Sequence, residues 1–157
     1  MVKMGKVIEI GDVVLRDYSP VSDEAFIFST WIKSFRDSAF ARAVPAPIYD
    51  RSQRARIENV LSRKDTYALI ATPKGTPELI LGYCVGQVPN IIHYVYVKKD
   101  YRGNRITPKL FWYLQEWSRE HPVLYTHKPA PIWIEKALQE KEELKNFIYD
   151  PYALERK

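Results

Sequence analysis

One cysteine, Cys84, is all the thiol this chain has, so a disulfide within it is excluded. Cys84 lies in an apolar run and reads as a small buried hydrophobe, and a reducing, cytoplasmic location is the expectation. Histidine is almost as scarce, with three copies. His121 and His127 taken with Cys84 lack the spacing of a zinc site, so no metal is expected. Long apolar runs are missing too. The opening "MVKMGKVIEIGDVVLRDY" alternates apolar with charged residues and lacks the uninterrupted stretch of a secretory signal. No stretch has the length of a membrane-spanning helix, so no membrane partner is expected. Internal repeats and low-complexity tracts are absent.

What is present suits one globular unit. A 46% hydrophobic content over 157 residues supports a single domain, 1–157, with one core. The net charge of +5 and pI near 9.2 are compatible with nucleic acid, an acidic partner or a polyanionic cofactor. One basic group, Arg51, Arg54, Arg56, Arg63 and Lys64, reads as a solvated helix face; the other, Lys98, Lys99, Arg102, Arg105 and Lys109, gathers around one loop. Nucleic-acid binding through the first group lacks an accompanying aromatic surface or a recognised motif and ranks last.

Hydrophobic periodicity gives an order of elements. "KVIEIGDVVLRDYS" is strand material interrupted at Gly11 and Asp12 by a turn or a bulge. Ser22 is placed to cap a helix in which Phe28, Trp31, Ile32 and Phe35 recur at helical spacing. "AVPAPIYD" reads as a connection, after which Asp50 caps a polar helix carrying Ile57, Val60 and Leu61. "TYALIATP" and "ELILGYCVGQV" form a hairpin, with Gly82 and Gly86 marking bends or a close backbone approach. "IIHYVYVKK" is apolar on both faces and belongs at the centre of a sheet. The helix "PKLFWYLQEWSRE", the strand "PVLYTHK" parallel to its predecessor, the helix "APIWIEKALQEKEELKN" and an edge strand in "FIYDPYAL" complete the chain. The fold class predicted is α/β, a central mixed sheet flanked by helices. Trp112, Tyr113 and Trp117, on a helix with Leu110, Phe111 and Leu114, read as core rather than as a ligand box.

The stretch "YVKKDYRGNRITPKL" joins the central strand to the helix after it. Thr107 followed by Pro108 reads as a helix start, which aims the positive helix end at the loop. Amides from Gly103 through Thr107 and again at Lys109, with the cations of Arg102, Arg105 and Lys109, suit an anion such as a pyrophosphate. On the loop alone, a basic turn without special purpose is the competing reading.

Element order and loop together resemble the GNAT superfamily of N-acetyltransferases, in which a strand ending in Val runs into an Arg-Gly-rich loop and a helix. "VKKDYRGNRITPKL" is similar to that family's cofactor signature, and "LILGYCVG" to its preceding strand. Within the first helix, "STWIKSFRDSAFA" is similar to small GNAT-type proteins encoded by bacteriophages. The loop departs from the family pattern: Arg105 and Thr107 stand where it has glycine and a small residue, and the last helix has Trp133 and Ile134 where many members carry a tyrosine.

The resemblance implies an acyltransferase using acetyl-coenzyme A and an amine acceptor, either a small molecule or a protein lysine. It implies cofactor contacts from Val95, Val97, Arg102, Gly103, Asn104, Arg105, Ile106, Thr107 and Lys109. His93, four residues before Val97, is the candidate base, and a core histidine bonded to a neighbouring element is the competing reading. Tyr125 and Tyr149 are the candidate proton donors for the leaving thiol. The alternative keeps the fold without the chemistry, as an inactive module binding a protein partner, virion-associated if the chain is phage-encoded.

Overall fold

In the computed structural model the described residues are 1–5, 7–36, 39–111, 114, 120–127 and 146–155. Strands Ile8–Ile10 (β1) and Val13–Asp17 (β2) form a hairpin whose turn contains Gly11 at φ 64°, a conformation that costs glycine nothing. The first strand material is thus two strands, and the interruption is a turn.

Helices follow at Pro20–Phe35 (α1), Ala39–Arg42 (α2) and Ala46–Ser62 (α3). Their starts correct the expected caps. Ser19, not Ser22, is the N-cap of α1, with Pro20 as the first helical residue. Asp23 reaches back to accept the Ser19 amide at 2.8 Å and takes two bonds from Arg16 at 2.7 and 2.8 Å. Burial alone would raise this carboxyl, but the Arg16 guanidinium and the amide hold it below the ordinary carboxylate range. Likewise α3 starts at Ala46, absorbing the expected connection because Pro47 fits a first turn, and Asp50 lies inside it, paired with Arg36 at 3.0 Å.

The remaining elements are strands Thr66–Pro73 (β3), Gly82–Gln87 (β4) and Ile91–Val97 (β5), a 3-10 turn at Lys99–Tyr101, helix Ile106–Leu110 (α4), and strands Val123–Tyr125 (β6) and Phe147–Tyr149 (β7). Among the described residues the seven strands form one sheet in chain order. Neighbours are antiparallel from β1 to β5 and parallel from β5 to β7. The parallel β5–β6 step is the crossover expected from strand, helix, strand, and β7 takes the expected edge. The expected last helix, with Trp133 and Ile134, lies outside the described residues, as do Trp112, Tyr113 and Trp117.

Both faces of the sheet are covered. Ile27, Phe28, Trp31 and Ile32 of α1 join Ile57 and Val60 of α3 over Ala68, Ile70, Tyr83, Val85 and Tyr94. On the other face Ile106, Leu110 and Leu114 pack with Leu15, Leu69, Cys84, Ile92 and Val123. Two-sided cover explains why β4 is buried from end to end.

The glycines of β4 are there for space. A Cβ on Gly82 would strike the Tyr96 carbonyl, and one on Gly86 would strike the Ile91 carbonyl and the Tyr67 ring. Backbone cannot yield as a side-chain tip can, so Gly86→Ala should destabilise the fold by about 1–3 kcal/mol, read as a lowered urea midpoint.

Candidate functional site

Two features meet at the end of β5. The first is the loop from Arg102 to Lys109. Arg102 Nε donates to the Val97 carbonyl at 3.0 Å, tying the loop back to the strand it leaves. Gly103 has φ 89°, and Arg105 has φ 58° and ψ 32°, a left-handed conformation that costs a residue with a Cβ about 1–2 kcal/mol. Arg105 therefore holds the backbone shape a glycine would take without strain. It is also the N-cap of α4, so Thr107 and Pro108 fall inside the first turn rather than opening the helix. The Asn104 amide is spent on the Tyr101 carbonyl at 3.3 Å, while those of Gly103, Arg105, Ile106 and Thr107 bond to no described residue. Gly103, Asn104, Arg105, Ile106 and Lys109 line a cavity of about 470 Å³ whose far wall includes Asp12 and Leu81. The Asp12 carboxylate sets one negative charge against the two cations there.

The second feature is an opening in the sheet. Val85 pairs with Tyr94 but Gly86 pairs with Ile92, so His93 is an extra residue bulged out of β5. On its other side β5 pairs with β6 only through Ile91 and Ile92. The Thr126 amide bonds to the Ile92 carbonyl at 3.0 Å, and beyond that point no described strand continues alongside residues 93–97. Val95 and Val97, expected to meet the cofactor, lie along this open stretch with side chains toward the α4 face.

His93 itself is enclosed. Its Nε2 lies 2.7 Å from Gln87 Oε1 and its Nδ1 3.0 Å from Thr126 Oγ1. The row of polar groups continues both ways: Gln87 Nε2 donates to Asp65 Oδ2 at 2.8 Å, and Thr126 Oγ1 is 2.9 Å from His127 Nδ1. Arg63 Nε closes one end on Asp65 Oδ1 at 3.4 Å. At the other end the His127 ring lies against Phe35, centroids 4.7 Å apart, and edge-on to Trp31. Burial pushes the His93 imidazole down to about 3 and that of His127 to about 4, with the cationic Arg56 on α3 adding to both.

Of the residues expected to act, the loop group and Val95 and Val97 come together around the end of β5, and His93 sits below them at the bulge. Both His93 ring nitrogens are occupied, which is the geometry of a core histidine bonded to its neighbours. The Tyr125 and Tyr149 rings lie against each other at a tilt of 43°, centroids 5.5 Å apart, at the edge of the sheet. Gln87, Thr126 and His127 went unrecognised as partners of His93, because only the strand register brings them together. Among the described residues no cluster could hold a metal ion, and no helix is long and apolar enough to cross a membrane.

Unfolded, each histidine takes up a proton below its ordinary 6.5; folded, His93 does so only at about 3 and His127 at about 4. Between these values the unfolded state binds more protons, so stability falls as pH is lowered through that window and is complete above it. Urea midpoints should therefore drop from pH 6.5 toward 4, and a His93→Gln, His127→Gln double variant should lose most of that slope.

No protein-family model and no curated protein sequence matches the chain. Solved structures do. A putative acetyl transferase from Pyrococcus furiosus aligns over 81% of this chain and 90% of its own, with a TM-score of 0.61 and 15% identity. A ribosomal-protein-alanine N-acetyltransferase from Brucella melitensis biovar Abortus 2308 aligns over 80% and 87%, with a TM-score of 0.51 and 15% identity. At such identity the likeness is one of fold, and the fold of this chain is the mixed α/β, GNAT-like architecture of those acetyltransferases.

Proposed function

We propose that the chain is an acyl-coenzyme A dependent N-acyltransferase that moves an acetyl group from acetyl-coenzyme A to a primary amine. The observation carrying this reading is the coincidence, at one strand end, of a loop whose amides bond to no described residue with a stretch of β5 that, beyond Ile92, has no described strand on its β6 side. A coenzyme A molecule has two parts to hold. Its pyrophosphate needs N–H donors and positive charge, which Gly103, Arg105, Ile106, Thr107, Arg102 and Lys109 supply. Its amide-bearing arm needs backbone partners in an extended line, and Val95 and Val97 offer them on the open side of the strand. The amides in that line also suit the oxyanion that forms when the amine attacks the thioester. Asn104, with its amide engaged, contributes its side chain at most. Tyr125 and Tyr149, in contact at the sheet edge, play no part in this reading.

A second reading keeps the fold as a protein-binding module, of the kind the phage resemblance of the first helix implies. Arg105 favours it, since its side chain stands where the family's pattern leaves room for phosphate. The two readings separate on binding. Calorimetric titration with acetyl-coenzyme A at moderate salt should give micromolar affinity, and Arg102→Ala should weaken it about tenfold, as loss of one charge-assisted bond does. Arg105→Gly should keep affinity or improve it if the side chain points away from the phosphates, and lower it if the guanidinium grips them. A wild-type protein that does not bind acetyl-coenzyme A leaves the binding module as the reading.

A further inference from the structure

The row of polar groups through His93 has a direction, and the direction can be worked out from its fixed end. Asp65 is a carboxylate and only accepts, so Gln87 must present its Nε2 to it at 2.8 Å. Gln87 Oε1 then faces His93 Nε2 at 2.7 Å and needs a donor, which makes His93 the Nε2–H tautomer. His93 Nδ1 is left with a lone pair and takes the single hydroxyl proton of Thr126 at 3.0 Å. With that proton committed, Thr126 Oγ1 can only accept from His127 at 2.9 Å, so His127 carries its proton on Nδ1. The lone pair of His127 is thereby placed on Nε2.

His127 is the residue after the last β5–β6 bond, so it stands where the two strands part. Its ring shares the α1 face with Tyr94: Phe35 and Trp31 touch both. Taking the acetyltransferase reading as given, we infer that His127, and not His93, is the catalytic base, and that Thr126, His93, Gln87 and Asp65 are positioning residues that fix its tautomer. In the reaction the amine nitrogen attacks the thioester carbonyl carbon. A C–N bond forms and the C–S bond breaks, with its electron pair leaving on sulfur. His127 Nε2 takes the proton from nitrogen and passes it to the thiolate, so that RNH2 and acetyl-coenzyme A become the amide and free coenzyme A. An imidazole pushed down to about 4 is neutral at physiological pH, and once charged it is a strong enough acid to release its proton to a thiolate. The charged neighbour of the ring is Arg56 on α3, with Asp65 and Arg63 at the far end of the row; the ring's hydrogen bond to the His93 backbone favours its charged form.

This orientation has a readout that does not depend on turnover. Nitrogen-15 correlation spectra of the histidine-labelled protein at pH 7 should show His127 as the Nδ1–H tautomer and His93 as the Nε2–H tautomer. Thr126→Val should release His127 toward the Nε2–H form that imidazole prefers in water, and Thr126→Ser should restore it. Thiol release from acetyl-coenzyme A with Nα-acetyl-lysine methyl ester as acceptor should fall about 100-fold or more in His127→Gln at unchanged cofactor affinity. A His127 found as the Nε2–H tautomer, or a His127→Gln variant with full turnover, overturns this inference and leaves the acetyltransferase reading standing. A wild-type protein that fails to bind acetyl-coenzyme A, or binds it without thiol release above the uncatalysed rate, overturns both.

Discussion

The site depends on one backbone irregularity, the extra residue that β5 carries at His93. Without it β5 would run in step with β4 from Ile91 to Val97, and its outer edge would stay straight enough for β6 to follow. With it, β5 bends after Ile92 and parts from β6, which is how a central strand acquires an edge without a described partner inside a covered sheet. The irregularity is held from both sides. Gly86 lets the Ile91 carbonyl come closer than any side chain would permit, and the bulged imidazole is anchored by Gln87 on one strand and Thr126 on another. A buried ring with both nitrogens bonded to different strands resists straightening, because either bond lost leaves a polar atom without water.

That arrangement explains what could be read from the sequence. Long periodic segments were legible: α1 from Phe28, Trp31, Ile32 and Phe35, β3 at its observed bounds, β5 to within two residues at its end, and the parallel step after the loop. Their signal comes from which face is buried, and burial on one or both faces is written directly into residue type. Gly82 and Gly86 were legible as points of close approach for a related reason, since nothing but a missing Cβ distinguishes them. Helix starts were less so. Ser22 and Asp50 have the chemistry of caps, but Pro20 and Pro47 claim the first turns, and Asp23 is drawn into a buried pair with Arg16, a partner on another element. The site was legible in half: the loop is local in sequence, and its residues do lie together. The row from Asp65 to His127 runs from the start of β3 across β4 and β5 to the end of β6 and exists only through their register, which no spacing rule captures.

The loop and the bulge also differ in how they are maintained. Arg105 keeps a left-handed backbone at about 1–2 kcal/mol, a noticeable fraction of the roughly 5–15 kcal/mol by which a domain of this kind is stable. Such a conformation persists only where the surroundings over-determine it. Here Ile106 and Leu110 seat α4 in the core on one side, and Arg102 ties the loop to Val97 on the other. The loop's shape is thus imposed by packing below it and does not rest on the residue at its tip, so a cation can stand there without disturbing the amides around it. Arg105 also adds charge beside the cavity that Asp12 borders, and shifts its balance toward anions. Geometry held by packing, with charge supplied by the side chain that strains it, is what the proposed phosphate-binding role asks of this loop.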